Sequence, residues 1–209
     1  MKNQEQKEYQ AIIFDLGAVL IDWNPRYLYR KIFSSEEETE DFLRNICTAD
    51  WNEQQDAGRS LLEGTEQLIA THPQQANNIR AFYGRWQEMM GGEISGTVQL
   101  LQQLKNTGKY KLYALTNWSN ETFPLALMQY RSLQLFDGIV VSGREKQRKP
   151  DPAFYQLLLD RYQVDAAAAL FIDDNLRNVA GAENCGIDSI LFTNPDQLKN
   201  ELINKCILF

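Results

Sequence analysis

Short apolar runs rich in β-branched and aromatic residues recur along the chain and end on polar residues: Ala11–Phe14, Lys111–Leu115, Gly138–Val141, Leu170–Ile172 and Ser189–Phe192. Runs of this kind, separated by helix-length stretches, predict parallel strands joined by crossover helices. The stretches between them carry the matching helical period. Val98, Leu101 and Leu104 share one face before Gly108, and Phe154, Leu157, Leu158 and Tyr162 share another behind Pro152. A third helix is predicted from Leu176 to Cys185, with Gly186 as its stop. Proline at a helix start and glycine just past its end are the usual punctuation.

From Asp22 to Gly92 the pattern changes: strand-like runs disappear and the residues become charged, aromatic and helix-prone. Helices are predicted over Pro25–Phe33, Glu36–Cys47, Leu61–Ile69 and Gln75–Met89, with Thr71-His72-Pro73 breaking the last two. Asn24 is read as an N-cap, and Ser35 ahead of Glu36-Glu37-Glu38 is a capping-box pattern with acids at the positive helix end. Gly91-Gly92 reads as a flexible return. The predicted organisation is an α/β core from 1–21 and 93–209 with a small all-helical insertion at 22–92.

With 209 residues, the chain can build one sizeable core and a smaller insertion. A net charge of −7 excludes a surface made for nucleic acid or for anionic membrane. No apolar stretch approaches the roughly 18 residues a membrane helix needs, and the polar first eight residues lack a signal-peptide core, so a cytoplasmic location is expected, with a frayed N-terminus. Cys47, Cys185 and Cys206 are odd in number and far apart, which suggests neither a disulfide framework nor a zinc site. Nothing in the pattern reports oligomeric state.

Polar residues at the C-terminal ends of parallel strands converge on the rim where open α/β sheets bind ligands. Here these are Asp15, Thr116-Asn117, Ser142 and Asp173-Asp174, with Lys149 placed to reach the same rim. A carboxylate directly after a buried strand costs several kcal/mol unless paired, metal-bound or exposed. Three of them together require a cation, and an all-oxygen donor set favours a hard one, Mg²⁺ by default. Lys149 adds a positive charge able to hold a phosphoryl group and to keep a nucleophilic aspartate ionised. Thr116 and the backbone N–H groups around Asn117 can donate to the same oxygens. Asp15 then fits a carboxylate nucleophile that forms an aspartyl-phosphate, later hydrolysed.

The set Phe14-Asp15-Leu16-Gly17-Ala18-Val19-Leu20, Leu115-Thr116-Asn117, Arg148-Lys149-Pro150 and Phe171-Ile172-Asp173-Asp174-Asn175 resembles the four ordered motifs of the haloacid dehalogenase-like hydrolases. The resemblance implies a Rossmann-like parallel-sheet core with a helical cap inserted after the first motif. It also implies that Asp15 is nucleophile and Mg²⁺ ligand, that the Gly17 carbonyl is a ligand, and that Asp174, assisted by Asp173, completes the metal site. Thr116, Asn117 and Lys149 would hold the transferring phosphoryl group of a small phosphorylated metabolite. In close detail the strings are most similar to bacterial sugar-phosphate phosphatases of the α-D-glucose-1-phosphate phosphatase type.

The chain departs from the common pattern at Gly17, where most phosphatases of the superfamily carry a second aspartate that protonates the leaving alkoxide and later activates water. Such assistance is worth about 10²- to 10⁴-fold. The gap implies a slower enzyme, a better leaving group or help from elsewhere, with Asp22 as a candidate if its loop folds back. Two other readings stay open: a haloacid dehalogenase in which Asp15 attacks carbon, which has no need of Asp173 and Asp174, and a phosphate- and metal-binding regulatory protein without turnover, which Gly17 favours. His72, Trp86 and Tyr83 read as turn or core residues, Asn178 as a metal-site neighbour or a surface residue, and Trp23 and Trp51 as aromatics able to exclude water from the rim.

Overall fold

The computed structural model describes residues 7–207, so the frayed terminus expected before them lies largely outside the described residues. In chain order the elements are β1 (Ala11–Phe14), β2 (Ile21–Trp23), α1 (Arg26–Tyr29), α2 (Glu36–Asn45), α3 (Ala49–Asp56), α4 (Leu61–Thr71) and α5 (Ala76–Gly84). There follow β3 (Met90–Glu93), α6 (Ser95–Thr107), β4 (Lys111–Thr116), α7 (Phe123–Gln129), β5 (Gly138–Val141) and α8 (Ser142–Glu145). The chain closes with α9 (Pro152–Tyr162), β6 (Ala169–Asp173), α10 (Leu176–Asn184), β7 (Asp188–Leu191) and α11 (Pro195–Asn204). Among the described residues no helix is long and apolar enough to cross a membrane.

Five strands form one parallel sheet in the order β5-β4-β1-β6-β7. β1 pairs with β4 on one side, Phe14 opposite Ala114, and with β6 on the other, Phe14 opposite Ile172. The two-residue period divides each central strand between two apolar layers. Ile12, Phe14, Leu112, Ala114, Leu170 and Ile172 face Leu101 and Leu104 of α6 and Leu198 and Leu202 of α11. Ala11, Ile13, Tyr113, Leu115 and Phe171 face Phe154, Tyr155, Leu158 and Leu159 of α9. Both faces being covered, the strands read as continuous apolar runs.

All five predicted strands and the three core helices are present, with no end moved by more than three residues. β6 extends through Asp173, so this carboxylate belongs to the strand itself. Gly108 ends α6 with φ 64°, and Gly186 follows α10 with φ 80°. Both positions lie in the left-handed region that glycine enters without a Cβ penalty. Asp151 caps α9 and Asn175 caps α10 through their side chains.

Between β2 and β3 the chain is helical. Ser35 makes the expected reciprocal capping box with Glu38 at the start of α2. Asn24 accepts from the Arg26 N–H at 3.0 Å. The strand-free reading of 22–92 is corrected at its margins: β2 and β3 pair antiparallel, Asp22 opposite Gly92. Gly91 is therefore part of a strand rather than a flexible return, and a Cβ there would collide with an Asp22 carboxylate oxygen. The helix predicted to Met89 stops as α5 at Gly84, and a 3₁₀ turn covers Trp86–Met89. Helix α3 was not expected. Its fully buried side chain is Gln55, which donates to the Trp51 carbonyl at 2.8 Å and the Tyr83 hydroxyl at 2.9 Å.

Candidate active site

Strand β1 ends on Asp15, whose backbone N–H bonds to the Ile172 carbonyl of β6 at 2.8 Å. This fixes the residue at the rim between β1 and β6, the switch point of the strand order. One carboxylate oxygen accepts from the Leu16 N–H at 2.7 Å and from Lys149 Nζ at 2.9 Å. Lys149 has no solvent-exposed surface, and its ammonium also reaches an Asp173 oxygen at 2.7 Å. Asp173 is held further by the Asn175 N–H at 2.8 Å and by Asn178 Nδ2 at 3.1 Å from both oxygens. Asn178 is thus a buried neighbour of the cluster.

Oxygens of Asp15, Asp173 and Asp174 lie within 4.8 Å of one another. Burial pushes the Asp15 carboxyl up to about 7 against the opposing pull of Lys149, and Asp173 and Asp174 add to the rise. Asp174 is also raised, by burial and then by the charge of Asp173. Burial works against the Lys149 ammonium, yet the two carboxylates outweigh it and hold the group above its ordinary value. Three carboxylates against one ammonium leave an excess of negative charge that a hard cation would balance. Among the described residues, no backbone N–H donates to the Gly17 carbonyl. The donors present therefore fit an oxygen-coordinated divalent cation.

The structure brings Thr116, Asn117 and Lys149 to the same rim. The Thr116 hydroxyl is buried and has no hydrogen-bond partner among the described residues. A buried donor in that condition costs about 1–3 kcal/mol unless something bonds to it. The Asn117 side chain is committed elsewhere: Oδ1 accepts from the Lys149 N–H at 2.9 Å and Nδ2 donates to the Lys149 carbonyl at 3.0 Å. What Asn117 can still offer a ligand is backbone. Ser142 accepts from the Trp118 N–H at 2.9 Å and donates to the Asp56 carbonyl.

A cavity of about 80 Å³ lies beside the cluster, lined on one side by Gly17, Asn117 and Trp118 and on the other by Asn52, Asp56 and Trp86. Trp23 and Tyr83 also line it. Trp51 does not. Its ring packs against Phe82 and Tyr83, with Nε1 bonded to the Gly64 carbonyl at 3.0 Å. His72 is the C-cap of α4, half-buried and outside the cavity lining. Asp22 turns to the Tyr27 hydroxyl, 2.7 Å away, and is not part of the cavity wall. The residues missed in sequence are Asn52 and Asp56 of α3 and Trp118. Thr48, which caps α3 through its side chain, and Gly58 just beyond it were the available signals.

Glu53 of α3 bridges Arg148 at 2.9 Å and Arg177 at 2.8 Å, tying the helical segment to the loop that carries Lys149 and to the first turn of α10. Exposed ion pairs are weak singly, but this carboxylate is largely shielded and serves two partners. Glu53→Gln is expected to loosen α3 by about 1 kcal/mol, read as roughly fivefold faster hydrogen exchange of its amides, with the β1 amides unchanged.

The family profile described as haloacid dehalogenase-like hydrolase matches residues 12–192. Among curated proteins, a sesquiterpene phosphatase from Aspergillus oryzae is 30% identical, over 88% of this chain and 90% of its own length. A phosphorylated carbohydrates phosphatase from Thermotoga maritima is 28% identical, over 87% of this chain and 83% of its own. A drimenol cyclase from Aspergillus calidoustus is 27% identical over 93% of this chain, which spans only 36% of that larger protein. Among solved structures, a predicted hydrolase from Porphyromonas gingivalis aligns with a TM-score of 0.73 at 19% identity, covering 96% of this chain and 99% of that one. A Bacteroides thetaiotaomicron enzyme in complex with magnesium and inorganic phosphate aligns at 0.67 with 20% identity, over 89% of this chain and 95% of that one. At these identities the structural likeness is one of fold.

Proposed function

We propose that this chain, which belongs to the haloacid dehalogenase-like hydrolases, is a Mg²⁺-dependent phosphatase that hydrolyses a small phosphorylated metabolite through an aspartyl-phosphate on Asp15. The observation that carries this reading is the buried Lys149 ammonium shared by Asp15 and Asp173, beside Asp174 and the unbonded Thr116 hydroxyl. Asp15, the Gly17 carbonyl and Asp174, supported by Asp173, would hold the cation. When bound, it neutralises charge on the phosphoryl oxygens and on the carboxylates around them.

Asp15 attacks phosphorus, and Lys149 keeps it ionised and in line. Thr116 and the backbone at Asn117 donate to the equatorial oxygens, where negative charge gathers in the transition state. The helical segment 22–92 acts as the cap that excludes bulk water. A dehalogenase would gain nothing from Asp174 beside its nucleophile, and a regulatory binder gives no use for an aspartate held against Lys149.

For the organic group, a sugar phosphate fits Asn52 and the other polar groups of the cavity, and the carbohydrate phosphatase relative supports it. A second reading has its own observation. Trp23, Tyr83, Trp86 and Trp118 make a largely aromatic wall, which suits an apolar phosphomonoester such as a prenyl phosphate, in keeping with the sesquiterpene phosphatase relative. Phosphate release from both classes, with and without Mg²⁺, is the test. Metal-dependent release is expected, and the class with the higher kcat/KM identifies the organic group. Chloride release from haloacids without metal would overturn the phosphatase reading, and Mg²⁺ binding with no turnover would favour the regulatory one.

A further inference from the structure

The proposed reaction leaves one requirement unmet by the residues assigned so far. An alkoxide leaving group needs a proton, and the water that later attacks the phosphoenzyme must lose one. Asp15 is the nucleophile, Asp173 and Lys149 are bound to each other, and Gly17 has no side chain. A Cβ built on Gly17 would meet nothing within 4 Å, so the space beside it is open. Among the described residues, the wall of that space contains a single carboxyl group, Asp56, at the last position of α3.

Resting on the phosphatase reading above, we propose that Asp56, delivered by the cap, is the general acid and base of the reaction. Its side chain is oriented by Asn52, whose Nδ2 donates to one carboxylate oxygen at 2.9 Å. Its backbone carbonyl is tied to the core by the Ser142 hydroxyl at the end of β5. The residue is therefore positioned from both the cap and the sheet.

The surroundings suit a group that must hold a proton and then release it. Burial pushes the Asp56 carboxyl up to about 7; Glu53 and Asp15 push in the same direction, and the Ser119 backbone N–H and Arg148 oppose them. The titratable and charged groups facing it are thus Glu53 on its own helix, Asp15 after β1, Arg148 before α9 and Tyr83 on α5. The phenol of Tyr83 is itself pushed up by burial, which leaves Asp56 as the cavity's proton carrier near neutrality.

The steps balance. An Asp15 oxygen forms a bond to phosphorus as the ester P–O bond breaks, and the leaving oxygen takes the Asp56 proton to become an alcohol. The Asp56 carboxylate then takes a proton from water, the remaining hydroxyl bonds to phosphorus, and the Asp15–phosphorus bond breaks. Inorganic phosphate leaves, with Asp15 ionised and Asp56 protonated as at the start.

Asp56→Asn tests this with two substrates, glycerol 2-phosphate and p-nitrophenyl phosphate, both with Mg²⁺. Nitrophenolate leaves without a proton; a glycerol alkoxide does not. Turnover of glycerol 2-phosphate is expected to fall by about 10²- to 10⁴-fold. With p-nitrophenyl phosphate the variant is expected to release one equivalent of nitrophenol at close to the wild-type rate, then slow at dephosphorylation. That burst also reports an intact site. Asp56→Glu, which keeps a proton to give, is expected to recover part of the alkyl rate.

Unchanged turnover of both esters, or an equal slowing of the first release from both, would overturn the assignment. Wild-type protein that releases phosphate from neither ester, nor from the sugar and prenyl phosphates, would instead bring down the phosphatase reading beneath it.

Discussion

Asp15→Asn is expected to abolish phosphate release, a loss of at least about 10⁴-fold, because an amide cannot form the phosphoenzyme. The same substitution is expected to raise the thermal stability of the metal-free protein at pH 8. Burial holds the Asp15 carboxyl near 7, above the 3.8 of a free side chain. A carboxyl whose folded value is raised binds its proton more tightly in the native state, so stability is lost as pH climbs from about 4 to about 7. The amide has no such dependence, and Lys149 still keeps Asp173 as a partner. Melting curves in EDTA at pH 5 and pH 8 measure the effect: the gain should appear at pH 8 and shrink at pH 5. With Mg²⁺ added, the wild type should recover more than the variant. A variant that melts lower than the wild type in EDTA at pH 8 would contradict this account of the cluster.

Lys149→Met has the opposite sign. It removes the ammonium bonded to Asp15 and Asp173 and leaves the three carboxylates facing one another. Removing one partner of a buried ion pair typically costs about 3–5 kcal/mol, far more than the pair itself contributes over an apolar replacement. Urea unfolding in EDTA at pH 8 should show a loss of that order, reduced at pH 5 where the carboxyls can take protons. Turnover should fall by at least about 10²-fold even where the variant is fully folded, since the phosphoryl oxygens lose a charged donor. A variant as stable as the wild type at pH 8 would mean that the cluster is not charged as described. Together the two substitutions separate the excess charge from its compensation.

The core was legible because its signals are local. A parallel strand buried on both faces, such as Ala11–Phe14, must be an apolar run, and a residue ending it must be polar for a reason. The carboxylates, Thr116 and Lys149 could therefore be placed on one rim from their order alone. Helix α3 has no apolar stripe. Its one fully buried side chain is the polar Gln55, bonded to a backbone carbonyl and a tyrosine hydroxyl, so the periodicity that reveals the core helices is absent, and Asp56 went unseen with it. The β2–β3 pair escaped for a different reason. Strands of three and four residues, the second containing Gly91 and Gly92, hold an antiparallel pairing only because each segment finds the other, about seventy positions away.

The pair of hydrogen bonds between the Asn117 side chain and the Lys149 backbone has a chemical corollary. A primary amide presents a carbonyl and an N–H side by side, as a peptide unit does, and Asn117 uses both against the N–H and carbonyl of one residue. In effect the side chain supplies one rung of a β-ladder that the main chain does not extend to make. Aspartate could accept but not donate there, and serine is too short to do both, so the loop bearing the buried ammonium is registered to the sheet by peptide mimicry.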